Sequence, residues 1–169
     1  MMRALGTVPL TLLLALGLGG CGGNDDDSRQ AVEDAVRQAD ETIDGVVHQV
    51  AAALHLAGAQ GSRSFTICGE SYAPRGVVMQ NFLRFTASGE LTQENAFVAT
   101  VGLLRDDGWT VDDPANRVSV VGTKGPLTLR VEIHPTLVQV GVTAPCIETS
   151  DDVAEEYADR PTADLTWSS

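Results

Sequence analysis

The stretch Leu127 to His134, LTLRVEIH, alternates apolar and polar residues without a break. Leu127, Leu129, Val131 and Ile133 share one parity; Thr128, Arg130, Glu132 and His134 share the other. Successive side chains of an extended chain point to opposite faces, so the pattern predicts a strand buried on one face and wet on the other. Val138, Val140 and Val142 keep the same period after a turn at His134-Pro135-Thr136. Upstream, Val118 and Val120 predict the preceding strand, joined through Thr123-Lys124-Gly125, and Trp109 to Val111 predicts a short one ahead of Asp113-Pro114. A further strand covers Gly76 to Thr86. There Val77, Met79, Leu83 and Phe85 agree in parity while Val78 and Phe82 oppose them, which a bulge near Gln80-Asn81 would reconcile.

Two amphipathic helices accompany the strands. From Arg29 to Leu56 the apolar positions Val32, Val36, Ala39, Ile43, Val46 or Val47, Val50 and Leu54 recur at spacings of three and four, with Ser28 as the expected N-cap. The second helix begins after Leu91-Thr92, with Thr92 as its cap, and runs to Asp107, burying Ala96, Phe97, Val101 and Leu104. Gly108 is expected to end it in the left-handed conformation and Trp109 to fold back on Leu104, which makes Trp109 a packing residue. Helix, strand, helix and four strands predict an α+β two-layer sandwich, its mostly antiparallel sheet of about four to five strands covered on one face by two helices. Residues 29–148 make up this domain. In 149–169, Ser150 to Asp159 reads as a short acidic helix stopped by Arg160-Pro161, followed by a loose tail.

The start of the chain reads differently. Arg3 is the only charge before an apolar run from Val8 to Leu18, and Gly19, Gly20 and Cys21 follow. A cationic start, a short apolar core and small residues have the layout of a secretory signal peptide. A membrane-spanning helix would need about 20 apolar residues. Leu18-Gly19-Gly20-Cys21 resembles the lipobox of bacterial prolipoproteins. The resemblance implies that residues 1–20 are removed by cleavage between Gly20 and Cys21, and that Cys21 carries a diacylglyceryl thioether with its new amino terminus acylated in turn. The chain is similar to small lipoproteins of high-GC Gram-positive bacteria in its size, its ten Arg to one Lys and its Gly108-Trp109 to Pro145-Cys146 layout. That likeness implies no catalytic residue.

With Cys21 consumed by lipid, the other two of the three cysteines, Cys68 and Cys146, remain as a pair. Outside the cytoplasm such a pair oxidises, and closing so long a loop stabilises a fold by roughly 4 to 5 kcal/mol. Metal binding is the competing use, with no CxxC or CxxH beside either residue. The predicted topology favours the bridge, because it returns the end of the last strand to the level where the first began.

Loss of residues 1–20 takes Arg3 but none of the 23 acids, leaving 10 basic residues and a formal charge of −13. Such a body is repelled by nucleic acid and by anionic lipid, so its membrane contact must come through acyl chains. Residues 21–28 then read as the lipidated cysteine and a flexible tether, with calcium binding by Asp25 to Asp27 the competing use of the three aspartates.

Catalytic signatures are sparse. Asp44 and His48 stand four apart on the first helix, and at about 1.5 Å per residue His55 lies roughly 10 Å beyond His48, too far to share a metal. His134 sits at a turn with no acid or serine at motif spacing, and the chain contains no GxSxG, HExxH, P-loop or Rossmann fingerprint. The strand parity instead gathers Arg84, Arg117 and Arg130 on the wet face, beside Ser119, Thr128, Glu132 and Gln139. That face suits an anionic group or a partner's carboxylates, or else ordinary cross-strand pairing of Arg with Glu132. The expectation is a lipid-anchored module on the extracytoplasmic side of the cell membrane that binds an envelope protein or anionic ligand, without cofactor, metal or nucleic acid. The alternatives are an envelope enzyme such as a hydrolase, or a structural spacer.

Overall fold

Leu127–His134 forms a strand whose four apolar residues are buried and whose other four face outward. The computed structural model describes residues 24–70, 72–112 and 117–167. Its strands are β1 (Leu56–Glu70), β2 (Ala73–Ala87), β3 (Thr110–Val111), β4 (Ser119–Lys124), β5 (Leu127–His134), β6 (Leu137–Glu148) and β7 (Ala163–Leu165). They make one antiparallel sheet in the order β3-β4-β5-β6-β2-β1-β7. The α+β class is as expected, but the sheet has seven strands rather than four or five. The additional strands are β1, whose Ala, Gly and Ser content hides its period, and β7, in the segment expected to be a loose tail.

The helices are α1 (Asp25–Thr42), α2 (His48–Ala53), α3 (Gln93–Asp106) and α4 (Asp151–Ala158). A π-helical turn, Ile43–Val47, joins α1 to α2. Its wider winding sets both Val46 and Val47 against the sheet, where the 3.6-residue period offered only one of them. The helix begins at Asp25 rather than after Ser28. Asn24 caps it by accepting from the Asp26 N–H, and Asp25, Asp26 and Asp27 lie in the first turn, where negative charge complements the helix dipole. Ser28 is buried instead, and its hydroxyl accepts from the Ser150 N–H at 3.1 Å.

All the helices pack on the same sheet face. Ala39, Ile43, Val46, Val50, Phe97 and Leu104 meet Leu83, Phe85, Leu129, Val131 and Val140 in the main core. Val153, Ala154 and Tyr157 of α4 cover Val77 beside Val32. At the end of α3, Gly108 has φ 84°, and its N–H donates to the Arg105 carbonyl at 3.0 Å. The Trp109 N–H donates to Leu104 at 2.9 Å, and its indole is buried as expected.

In β2 the alternation is unbroken from Met79 to Phe85, so the expected bulge at Gln80-Asn81 is absent. Asn81 occupies a core position, accepting from Arg63 Nε at 2.8 Å, and Phe82 an outward one. The register irregularity of β2 lies instead between Val77 and Met79, opposite Pro145 and Cys146 of β6. Proline cannot donate to the ladder, which accounts for a bulge there. Cys146 is bonded to Cys68 of β1, with Cα atoms 5.8 Å apart, so the disulfide links the two strands that flank β2.

Candidate binding face

Among the described residues no helix packs on the other face of the sheet, and its side chains fall into rows set by register. One row reads Val121, Arg130, Gly141, Phe82 and Ser62 from β4 across to β1. The next reads Ser119, Glu132, Gln139, Arg84 and Gln60. On the far side lie Thr123, Thr128, Thr143, Gln80 and Ser64. Arg84 and Arg130 therefore share this face, two strands and one row apart, about 12 Å between Cα atoms at ordinary strand spacing.

Arg117 does not join them. It precedes β4 in a bend, and its guanidinium is ion-paired with Glu94 of α3 and lies 5.5 Å from the centre of the Phe97 ring. An aromatic face beside a carboxylate holds a guanidinium better than open solvent does, so the helix draws Arg117 off the sheet. Glu132 is on the open face, but it stands opposite Ser119 and Gln139 rather than opposite an arginine.

The charge balance singles out this face. Of the ten lysines and arginines among the described residues, ion pairs with Asp or Glu take in all but Arg84, Arg105 and Arg130. Two of these three project from the open sheet, with Phe82 in the row of Arg130 and two residues from Arg84, at 45% exposure. Sequence reasoning missed Phe82 because its opposing parity read as a bulge. It also missed Gly141, which lies between Phe82 and Arg130; a Cβ added to it would meet no atom within 4 Å.

The histidines are spread over the fold. His48 stacks on Trp167, His55 follows the C-cap of α2, and His134 ends β5 on the open face. Among the described residues no three His, Cys, Asp or Glu side chains come together as a metal-ligand set. A polar cavity of about 390 Å³ lies on the helical side, where Arg63 pairs with Asp40 near Asp44 and Asp164. A second, of about 290 Å³, lies beside the π turn between Glu41, Trp109 and Lys124. Gly20 and Cys21, expected as the cleavage and lipidation positions, lie outside the described residues, as do Asp113 and Pro114. Compared with known proteins, the chain matches no family model, no curated protein and no solved structure.

Proposed function

We propose that this chain is a lipoprotein of the bacterial cell envelope, held at the extracytoplasmic side of the membrane by acyl chains on Cys21, whose α+β domain binds a partner through the open face of its sheet. The observation that carries the binding reading is that Arg84 and Arg130, on that face of an otherwise acidic domain, have no ion-pair partner among the described residues. Leu18-Gly19-Gly20-Cys21 supports the anchor, and the Cys68–Cys146 disulfide suits an oxidising compartment.

The short connection gives the anchored domain an orientation. Cys21 and Asn24 are three residues apart, at most about 11 Å of extended chain. Arg29 of α1 is paired with Glu156 of α4, and Asp25 accepts from the Ser150 hydroxyl at 2.7 Å. In this reading the end of the domain formed by the start of α1 and by α4 stands next to the bilayer, and the rest of the sheet extends away from it.

Replacing Cys21 with Ser tests the anchor: acyl labelling should vanish, and the protein should leave the detergent phase. Persistence of covalent lipid would refute it. Formaldehyde crosslinking of intact cells tests binding. Discrete higher-mass adducts of the anchored protein are expected, and recovery of the monomer alone would refute that half of the reading.

A further inference from the structure

The open face carries one recess whose walls differ in chemistry. Arg130, Gly141 and Phe82 are cross-strand neighbours in a single row, so a guanidinium and a phenyl ring rise on either side of a position with no side chain. Arg130 and Phe82 stand two strands apart, roughly 10 Å between Cα atoms. A Cβ built on Gly141 would have no atom within 4 Å, so the floor of the recess is unfilled. Arg84 lies one row away, close enough for its long side chain to reach the same recess. Around it lie Thr128, Thr143, Gln80 and Gln139 as hydrogen-bonding groups, with Glu132 as an acidic neighbour in the row of Arg84.

We infer that this recess takes an acidic segment of a partner protein, with a carboxylate held by Arg130 and Arg84 and an adjoining apolar side chain laid over Gly141 against Phe82. The inference rests on the binding reading given above and names the partner class for its face. Arginine and aromatic residues are the usual anchors of protein interfaces, and a guanidinium fork matches a carboxylate through two parallel hydrogen bonds. Neither arginine has an ion-pair partner among the described residues, so binding breaks no existing pair. A phosphodiester polymer offers the anion but not the apolar neighbour that Phe82 calls for.

The test uses the full anchored protein in cells, with a photo-crosslinking phenylalanine analogue at position 143, beside the recess, or at position 98, an exposed site on α3. The expected result is an adduct from position 143 to a protein peptide containing Asp or Glu. Its yield should fall about tenfold or more when Arg84→Glu and Arg130→Glu are combined, a loss of roughly 1.4 kcal/mol or more. Phe82→Ala should lower the yield as well. Both sets of substitutions are on exposed side chains, and an unchanged melting temperature verifies that the fold is intact.

An adduct from position 143 to lipid, glycan, a second copy of this chain or a peptide without acids would overturn the inference. So would a yield indifferent to charge reversal. Adducts from position 98 alone would overturn the inference together with the open-face part of the binding reading, leaving only that the domain binds a partner. Absence of adducts from both positions would bring down both.

Discussion

The Trp167 indole lies flat on the His48 imidazole, with ring centroids 3.8 Å apart and planes 7° from parallel, and meets the Phe85 ring edge-on at 4.8 Å. A segment beyond the last helix is thereby fastened to α2 and to the centre of the sheet. Just before it, Leu165 pairs with Gly61 across the β7 to β1 ladder, where a side chain on Gly61 would crowd Leu165 Cβ at 3.0 Å.

Trp167→Ala should therefore destabilise the domain by about 2 kcal/mol, less than the 3 to 5 typical of a fully buried aromatic because Trp167 is half-buried. Chemical denaturation reads the loss, and hydrogen exchange should show faster opening of β7 than of β5. An unchanged midpoint would mean that the stacked rings contribute nothing to the fold.

Glu156 joins α4 to the first turns of α1. Its carboxylate accepts from Arg160 at 2.6 Å and from Arg29 at 2.9 Å, which hold its pKa below the ordinary 4.5, the Arg160 hydrogen bond contributing most. Between the lowered folded pKa and the unfolded one, the unfolded chain binds more protons. The stabilisation is therefore complete above the ordinary pKa and is lost as pH falls through the folded one. Glu156→Gln should be less stable than the parent near neutral pH, and the two melting curves should converge on acidification. A difference that stays constant down to about pH 3 would assign the effect to something other than this carboxylate.

Gly76 lies between the two strands joined by the disulfide, opposite Cys68 on one side and Glu148 on the other. Its φ is 151°, and a Cβ would overlap the Ile147 carbonyl oxygen. Gly76→Ala should cost at least about 3 kcal/mol, from backbone strain and collision together. Gly102→Ala is the counterpart: in the middle of α3 with nothing within 4 Å, it should stabilise by about 0.5 to 1 kcal/mol. Similar effects at both positions would contradict the packing described around Gly76.

Much of the fold is legible in the sequence because one parity of β5 and β6 is continuously apolar and α3 ends in a Gly-Trp signal. Other parts are hidden for identifiable reasons. The helix face of β1 carries Gly61, Arg63 and Phe65, and Arg63 is accommodated there only because Asp40 of α1 and Asn81 of β2 satisfy its guanidinium. A charged residue facing inward erases the alternation that announces a strand. Asn81 belongs to the same polar cluster, and with Phe82 facing outward it inverts the local pattern of β2. For the candidate site, Arg84 and Arg130 follow from parity. Arg117 does not, because Glu94 and Phe97 capture it from a helix distant in sequence.

His55 supplies a prediction of the opposite sign to most substitutions. It follows Leu54, the C-cap of α2, and is the one non-glycine among the described residues with positive φ, at 52°. Its carbonyl is fixed by the Ser88 N–H at 3.2 Å and the Ser88 hydroxyl at 2.7 Å, while its side chain is exposed. The backbone geometry is thus set by the neighbouring chain, at a cost of about 1 kcal/mol for an L residue in this region. His55→Gly relieves that strain but adds freedom to the unfolded chain, so the net gain should be about 0.5 kcal/mol. His55→Val, whose branched Cβ tolerates positive φ worst, should lose about 1 kcal/mol or more. Chemical denaturation of the three proteins should rank them Gly, His, Val. A glycine variant less stable than the parent would show that the imidazole makes a stabilising interaction outweighing the strain of its backbone.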